Sequence, residues 1–273
     1  MTTTGFPYLD GPREAGGVVA LAHRGGAKHP DLLGMENTLT AFRHAFDLGY
    51  RYLETDVHAT KDGHLVAFHD DSLDRVTDRV GVIVGLPLAE VTGAVIGARL
   101  GKQEHIPLLT DLFEEFPGAR FNVDLKAPTA VEPLADLLRR TDAHDRVCVG
   151  SFTERSMRRF RRLVERPVAT AVGVLAVVAH AYAPYPLQVQ RLLRDDGAVF
   201  QVPHRFRGRL VVDRRFVELA HASGRHVHVW TVDERAEMEH LLDLGVDGLI
   251  TDRTDVCKEV LMERGLWQGG VGA

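Results

Sequence analysis

Short apolar runs alternate with amphipathic helical stretches along nearly the whole chain, and this alternation restricts the folds open to it. Strands are expected over residues 18–23, 52–57, 120–125, 147–151, 168–174, 199–202, 226–231 and 248–251. Most are followed by a helical pattern, which implies parallel strands joined by helical crossovers. Eight such units match a closed (β/α)8 TIM barrel, a fold that typically needs about 250 residues. The chain has 273 residues and is read as one such domain over 1–273. A doubly wound open sheet is the main alternative, but no G-x-G-x-x-G follows a strand.

The helix signals are local and specific. Residues 39–48 carry Phe42, Ala45 and Phe46 on one face, Asn37 or Thr38 as a cap, and Gly49 as a stop. Residues 238–244 form a second clear pattern, closed by Gly245. One segment breaks the alternation. Asp62-Gly63 is a hairpin-turn signal, so residues 65–70 are expected to fold back on the second strand. A two-residue loop sets Lys61 opposite His64 and Asp56 opposite His69, and a shifted loop sets Glu54 opposite His69. Either register puts Glu54, Asp56 and His69 on one face. Residues 71–107, rich in glycine and without Phe, Tyr or Trp, are read as an insertion between the second strand and its helix at 109–116, forming a small lid.

Composition excludes several function classes. Hydrophobic residues make up 45% and charged residues 26%, the balance of an ordinary globular protein. The net charge of -5 lacks the basic excess of a nucleic-acid binder. Arg158, Arg159, Arg161 and Arg162 form a local cluster, read as a solvated helix face. Cys148 and Cys257 stand in no metal-ligand spacing, and Cys148 reads as a buried small hydrophobe. The first residues show no secretory signal, and the longest apolar stretch, around 172–183, is shorter than the roughly 20 residues of a membrane span. The expectation is a cytoplasmic protein with no stable membrane insertion and no nucleic-acid partner. The glycine-rich tail at 267–273 is expected to be loose.

Ionisable residues gather at the ends of the early strands. His23-Arg24-Gly25 ends the first, Glu54-x-Asp56 lies in the second, His69-Asp70 ends the hairpin return, and Asp124-x-Lys126 ends the third. Barrel enzymes place their chemistry at the C-terminal strand ends, so these groups converge. Glu54, Asp56 and Asp124 are costly to hold together without a counter-charge, and all-oxygen ligation suits one hard divalent metal ion, Mg²⁺ or Ca²⁺. His23 and His69 can exchange protons near neutral pH. Arg24 and Lys126 supply positive charge for a phosphate.

These residues, in this order, resemble the signature of glycerophosphodiester phosphodiesterases. The likeness runs through His23-Arg24-Gly25, Glu36-Asn37-Thr38 with Ala41-Phe42, Glu54-Thr55-Asp56-Val57, Thr60-Lys61-Asp62-Gly63 and His69-Asp70. It continues through Ile106-Pro107, residues 122–126, Val229-Trp230-Thr231-Val232 and Thr251-Asp252. The resemblance implies a (β/α)8 barrel and metal-dependent hydrolysis of a small glycerophosphodiester to sn-glycerol 3-phosphate and an alcohol. It assigns His23 and His69 to acid–base catalysis, Glu54, Asp56 and Asp124 to the metal, and Arg24 and Lys126 to the phosphate. Glu36 becomes a supporting residue beside the His-Arg pair, and Trp230 a wall on the alcohol side of the pocket. The family usually has Glu where this chain has Asp124, one methylene shorter. Sphingomyelinase D-like enzymes look similar there. The rivals are a lysophospholipase D-like or sphingomyelinase D-like phosphodiesterase on lipids, a non-catalytic ligand-binding barrel, and a phosphate-binding barrel isomerase.

Overall fold

Eight parallel strands stand side by side in the order Ala169–Thr170, Val147–Gly150, Arg120–Leu125, Tyr52–Ala59, Val19–His23, Gly248–Thr251, His226–Trp230 and Val199–Pro203. A parallel bridge from Ala171 to Val199 brings the two ends of that row together. The row is thus a barrel, as the alternation predicts. A computed structural model describes residues 4–14, 16–185, 188 and 196–268. The chain begins with α1 (Pro7–Glu14), β1 (Val19–His23), α2 (Leu39–Asp47), β2 (Tyr52–Ala59) and β3 (Leu65–Ala67). It continues through α3 (Leu88–Thr92), β4 (Val95–Ile96), β5 (Glu104–His105), α4 (Leu109–Glu115), β6 (Arg120–Leu125), α5 (Val131–Thr141) and β7 (Val147–Gly150). Then come α6 (Glu154–Leu163), β8 (Ala169–Thr170), α7 (Val174–Tyr182), β9 (Val199–Pro203), β10 (Arg205–Phe206) and β11 (Arg209–Leu210). The last elements are α8 (Arg214–Ala222), β12 (His226–Trp230), α9 (Arg235–Leu244), β13 (Gly248–Thr251) and α10 (Thr254–Glu263).

Strand periodicity divides the side chains between two cores. Val19, Leu21, Tyr52, Cys148, Ala169, Val199 and Ile250 form the interior cluster, with Tyr8 and Leu9 of α1 packed into it. The Tyr52 hydroxyl donates to the Tyr8 carbonyl at 2.7 Å. The alternate positions, such as Leu53, Phe121, Val123 and Val149, pack outward against Phe42, Phe113, Leu134 and Phe160 of the helices. A matching shell on the other side sets Phe200, Val227 and Leu249 against Phe216, Met238 and Val260. Because Leu21 and Tyr52 point inward, parity sends His23, Glu54 and Asp56 inward as well. The paired register Asp56–Asp124 carries Asp124 with them.

Local signals behave as their chemistry requires. Thr38, not Asn37, caps α2, its hydroxyl accepting from the Ala41 amide at 3.2 Å. The expected strand at 168–174 is shorter, because Val174 already opens α7 and Arg161 donates to the Ala171 carbonyl at 2.9 Å. Arg161 also donates to the Thr170 hydroxyl, so it is not part of a solvated helix face, whereas Arg158, Arg159 and Arg162 are exposed. Both cysteines are buried free thiols. Trp267 meets Tyr50 edge to face at 5.0 Å, so that end of the tail is anchored, while residues 269–273 lie outside the described residues. Among the described residues no helix is long and apolar enough to cross a membrane.

The hairpin corrects both expected registers. Val57 pairs with Ala67, His58 with Val66 and Ala59 with Leu65, around a loop of Lys61, Asp62 and Gly63. The Gly63 amide closes on the Thr60 carbonyl at 3.0 Å, and Gly63 takes φ +84. This is the three-residue connection with a glycine in the left-handed position. Asp56 therefore lies opposite Phe68 rather than His69, the Phe68 amide donating to the Asp56 carbonyl at 2.9 Å. β3 ends at Ala67, and His69 enters the site from a bend beyond the ladder.

The insertion at 71–107 has a small core of its own. Leu73, Ile83, Val91, Ala94, Ile96 and Ile106 pack with Val66 and Phe68 of the hairpin return. It is pinned to the hairpin at two backbone points, Lys61 to Leu86 and Ala67 to Pro107. The Asp62 carboxylate also accepts from the Leu88 amide at 3.0 Å.

Candidate active site

The C-terminal ends of β1, β2, β6 and β13 bring the expected residues together. His23 closes β1 and faces Glu54 of β2, with Nε2 at 3.8 Å from Oε2. The next residue turns sharply. Arg24 has φ +50, and its amide donates to the Glu54 carbonyl at 3.0 Å. Gly25, at φ +84, lies so close to α2 that a Cβ there would meet the Ala41 Cβ at 2.7 Å. The glycine lets the turn approach α2 closely enough to hold Arg24 over the barrel mouth.

Charges here are paired. Lys126 Nζ lies 2.8 Å from Asp56 Oδ1 and 2.8 Å from Asp124 Oδ2. Arg24 Nε is 3.0 Å from Asp56 Oδ2, and its Nη1 is 3.3 Å from Glu36. Asn37, at φ +57, donates to Asp56 Oδ2 at 3.1 Å and accepts from the Thr55 hydroxyl at 2.8 Å. Arg24 and Lys126, the expected phosphate contacts, thus balance Asp56 from two sides. Burial would raise the Asp56 carboxyl, but Lys126 and then Arg24 outweigh it and hold it below the usual carboxylate range. Burial likewise opposes the charge on Lys126, and Asp124 and Asp56 override it, raising the ammonium.

Among the described residues Glu54 has no Lys or Arg side chain within ion-pair reach, only His23 Nε2 at 3.8 Å and the Arg24 amide at 3.2 Å. Burial, then the charge of Asp56, pushes the Glu54 carboxyl up to about 7. With Asp56 and Asp124 on paired strands, Glu54 makes an all-oxygen set of the chemistry that suits a hard dication, but among the described residues the three carboxylates are not drawn into one ligand cluster and Lys126 lies between two of them. Gly150, paired with Asp124, keeps the adjacent wall free of a side chain.

Both histidines are anchored through Nδ1. His23 Nδ1 is 2.7 Å from Asp252 Oδ1, and His69 Nδ1 is 2.6 Å from Asp70 Oδ1. Burial disfavours the charged imidazole of His23, but Glu54 and Asp252 outweigh it and raise its pKa. Arg75, from the insertion, binds Asp70 and also donates to both oxygens of Glu36, at 2.9 and 2.7 Å. Its hydrogen bond to Asp70 is the main reason that carboxyl falls to about 2. Trp230 ends β12, half-buried over the interior core, with Phe152 edge-on at 6.0 Å.

Several contributors were not assigned roles from sequence. Asp252 sits in the Thr251-Asp252 pair at the end of the last strand, a position whose strand-end acid was a usable signal. In sequence Asn37 reads as a helix cap and a motif residue, not as a partner of Asp56. Arg75 and Gln201, which donates to Asn122 at 2.7 Å, have no local signal at all.

Comparison with known proteins identifies relatives along nearly the whole chain. The Glycerophosphoryl diester phosphodiesterase family matches residues 23–256. A protein of Mycobacterium tuberculosis named probable glycerophosphodiester phosphodiesterase 2 is 42% identical over 273 residues, covering 98% of this chain and 100% of its own. The human lysophospholipase D GDPD1 is 25% identical, covering 85% of this chain and 82% of its own. Among solved structures, an Oleispira antarctica phosphodiesterase in complex with the product sn-glycerol-3-phosphate superposes with a TM-score of 0.76. It is 23% identical and covers 91% of this chain and 98% of that one. The chain, with its eight-stranded barrel and its strand-end histidines and acids, belongs to the glycerophosphoryl diester phosphodiesterase family.

Proposed function

We propose that the chain hydrolyses small glycerophosphodiesters to sn-glycerol 3-phosphate and an alcohol, using His23 and His69 as its acid–base pair. One observation carries this reading. Two imidazoles, each anchored through Nδ1 by a carboxylate, stand beside the Arg24–Asp56–Lys126–Asp124 network. An Nδ1–H held by an acid leaves Nε2 as the nitrogen that takes or gives a proton.

Glu54, Asp56 and Asp124 would hold one divalent ion, Mg²⁺ or Ca²⁺. When bound, the ion neutralises charge on the non-bridging phosphate oxygens and acidifies a nearby hydroxyl. Arg24 and Lys126 share that neutralising task as charge develops in the transition state. One histidine accepts the proton of the attacking hydroxyl, and the other gives a proton to the departing alcohol oxygen. Glu36 and Asn37 hold Arg24 and Asp56 in place, and Trp230 walls the alcohol side. Asp124 in place of the family's usual Glu leaves this ligand shorter, with Lys126 against it.

A second reading, a lysophospholipid substrate, rests on apolar surface outside the insertion. Phe152, Val174, Leu175, Val178 and Phe206 are exposed in the segments that follow β7, β8 and β9. The 25% identical human relative is named for lysophospholipase D activity. The deciding experiment is a panel of glycerophosphodiesters and lysolipids assayed with each metal after chelation. The primary reading expects glycerophosphocholine or a similar soluble diester to give the higher kcat/KM and chelator to abolish turnover. A preference for micellar lysophospholipid moves the assignment to the second reading, and full activity in excess chelator removes the metal from it.

A further inference from the structure

His29, Asp31 and His44 bring two imidazole nitrogens and a carboxylate oxygen within 4.8 Å of one another. The group shares no residue with the acids of the barrel mouth. His29 precedes a short turn at Pro30–Leu32, and His44 lies in the last turn of α2. His29 Nδ1 is 3.7 Å from Asp31 Oδ2, and His44 Nε2 is 4.0 Å from the same oxygen. The two rings sit 4.3 Å apart, tilted by 57°.

The fold's hydrogen bonding does not account for this arrangement. His29 Nδ1 accepts only a long bond from the Asp31 amide, at 3.2 Å. His44 Nδ1 is buried with no hydrogen-bond partner among the described residues, and its other nitrogen faces Asp31. The Asp31 carboxylate faces both rings, which favours a cation in that place.

We propose that His29, Asp31 and His44 form a second metal site, for a transition dication of the zinc class. Imidazole with one carboxylate suits zinc, nickel or copper, whereas the oxygen set at the barrel mouth suits magnesium or calcium. Ligand atoms around a tetrahedral ion at about 2.0–2.1 Å stand roughly 3.3 Å apart. Separations of 3.7 and 4.0 Å close to that spacing with small rotations, and Asp31 is exposed and free to make them. The weak bond to the Asp31 amide is the one given up. His29 and Asp31 belong to the segment between β1 and α2 that also carries Arg24, Lys28, Glu36 and Asn37. An ion here fastens that segment to α2 without touching the reacting groups.

The test is zinc binding by the full-length protein after chelation and dialysis, in millimolar Mg²⁺ to occupy the mouth. Wild type should take up one zinc equivalent with micromolar or tighter affinity and gain thermal stability. His44→Ala and Asp31→Ala should each weaken that equivalent by about 100-fold or more and lose the thermal gain, with melting in metal-free buffer unchanged for Asp31→Ala. Copper(II) substituted for zinc should show electron-spin couplings to two imidazole nitrogens in wild type and to one in His44→Ala. Affinity no tighter than millimolar, displacement by Mg²⁺, or equal zinc uptake by wild type and Asp31→Ala would each overturn the proposal. If His44→Ala does not fold, the exposed Asp31→Ala and the wild-type copper spectrum still decide it.

Discussion

Asp252, the residue after the last barrel strand, accepts a hydrogen bond from His23 Nδ1 at 2.7 Å and so joins the C-terminal end of β13 to that of β1. The backbone makes the meeting possible, since β1 and β13 pair in parallel as far as Ala22 and Thr251. Burial would raise the Asp252 carboxyl, but the hydrogen bond and charge of His23, joined by Lys28, together outweigh it and keep the group ionised at neutral pH. An ionised acceptor fixes the tautomer of the imidazole.

Asp252→Asn keeps the shape but loses the charge that selects the Nδ1–H tautomer. Turnover should fall by about 10²-fold or more, with KM little altered. The check is steady-state kinetics beside a metal-binding titration. Unchanged kcat with intact folding would refute a positioning role for Asp252.

His23→Ala and His69→Ala should each lower kcat by roughly 10²–10⁴-fold while the metal still binds. Near-normal turnover in either variant contradicts the paired acid–base scheme. A substrate whose neighbouring glycerol hydroxyl is replaced by hydrogen separates the two routes of attack. It should be inert if that hydroxyl attacks to give a cyclic phosphate first, and cleaved normally if water attacks the phosphorus directly.

Arg75 is the insertion's contact with the site, holding Asp70 behind His69 and Glu36 behind Arg24. Arg75→Ala should reduce kcat by about 10- to 100-fold, on the scale of losing a supporting contact. Its side chain is half-exposed, so thermal stability should move little. Wild-type kinetics in this variant would make the insertion irrelevant to chemistry.

His228 predicts an acid weakness. Burial, then neighbouring His226, pushes its pKa down to about 3. The unfolded chain takes up this proton near pH 6.5, and the folded chain does not until about pH 3. The unfolded state binds more protons between these values, so stability is complete above pH 6.5 and declines as pH falls through the window. The loss from this one group is about 2 kcal/mol between pH 7 and pH 5. Urea unfolding of wild type and His228→Met at both pH values measures it. An identical pH slope in the two proteins would show that His228 does not titrate as described.

The alternation of runs was enough to predict the barrel, because each parallel strand needs its own crossover helix and the periodicity of both is written locally. The strand-end acids and histidines were legible for the same reason. Parity along one strand places Glu54 and Asp56 together, and barrel topology places His23, Asp124 and Asp252 at the same rim. The hairpin register was not legible. Asp62-Gly63 announces a turn, but whether two or three residues form it depends on the Thr60–His64 pairing and on the Leu88 amide reaching Asp62. Charge partnership was decided by tertiary structure alone. Nothing in the chain order says that Lys126 lies between Asp56 and Asp124, or that Arg75 spans Glu36 and Asp70. Those choices follow from which side chains the closed barrel and its insertion bring within hydrogen-bond reach, and from the cost of leaving a buried charge unpaired.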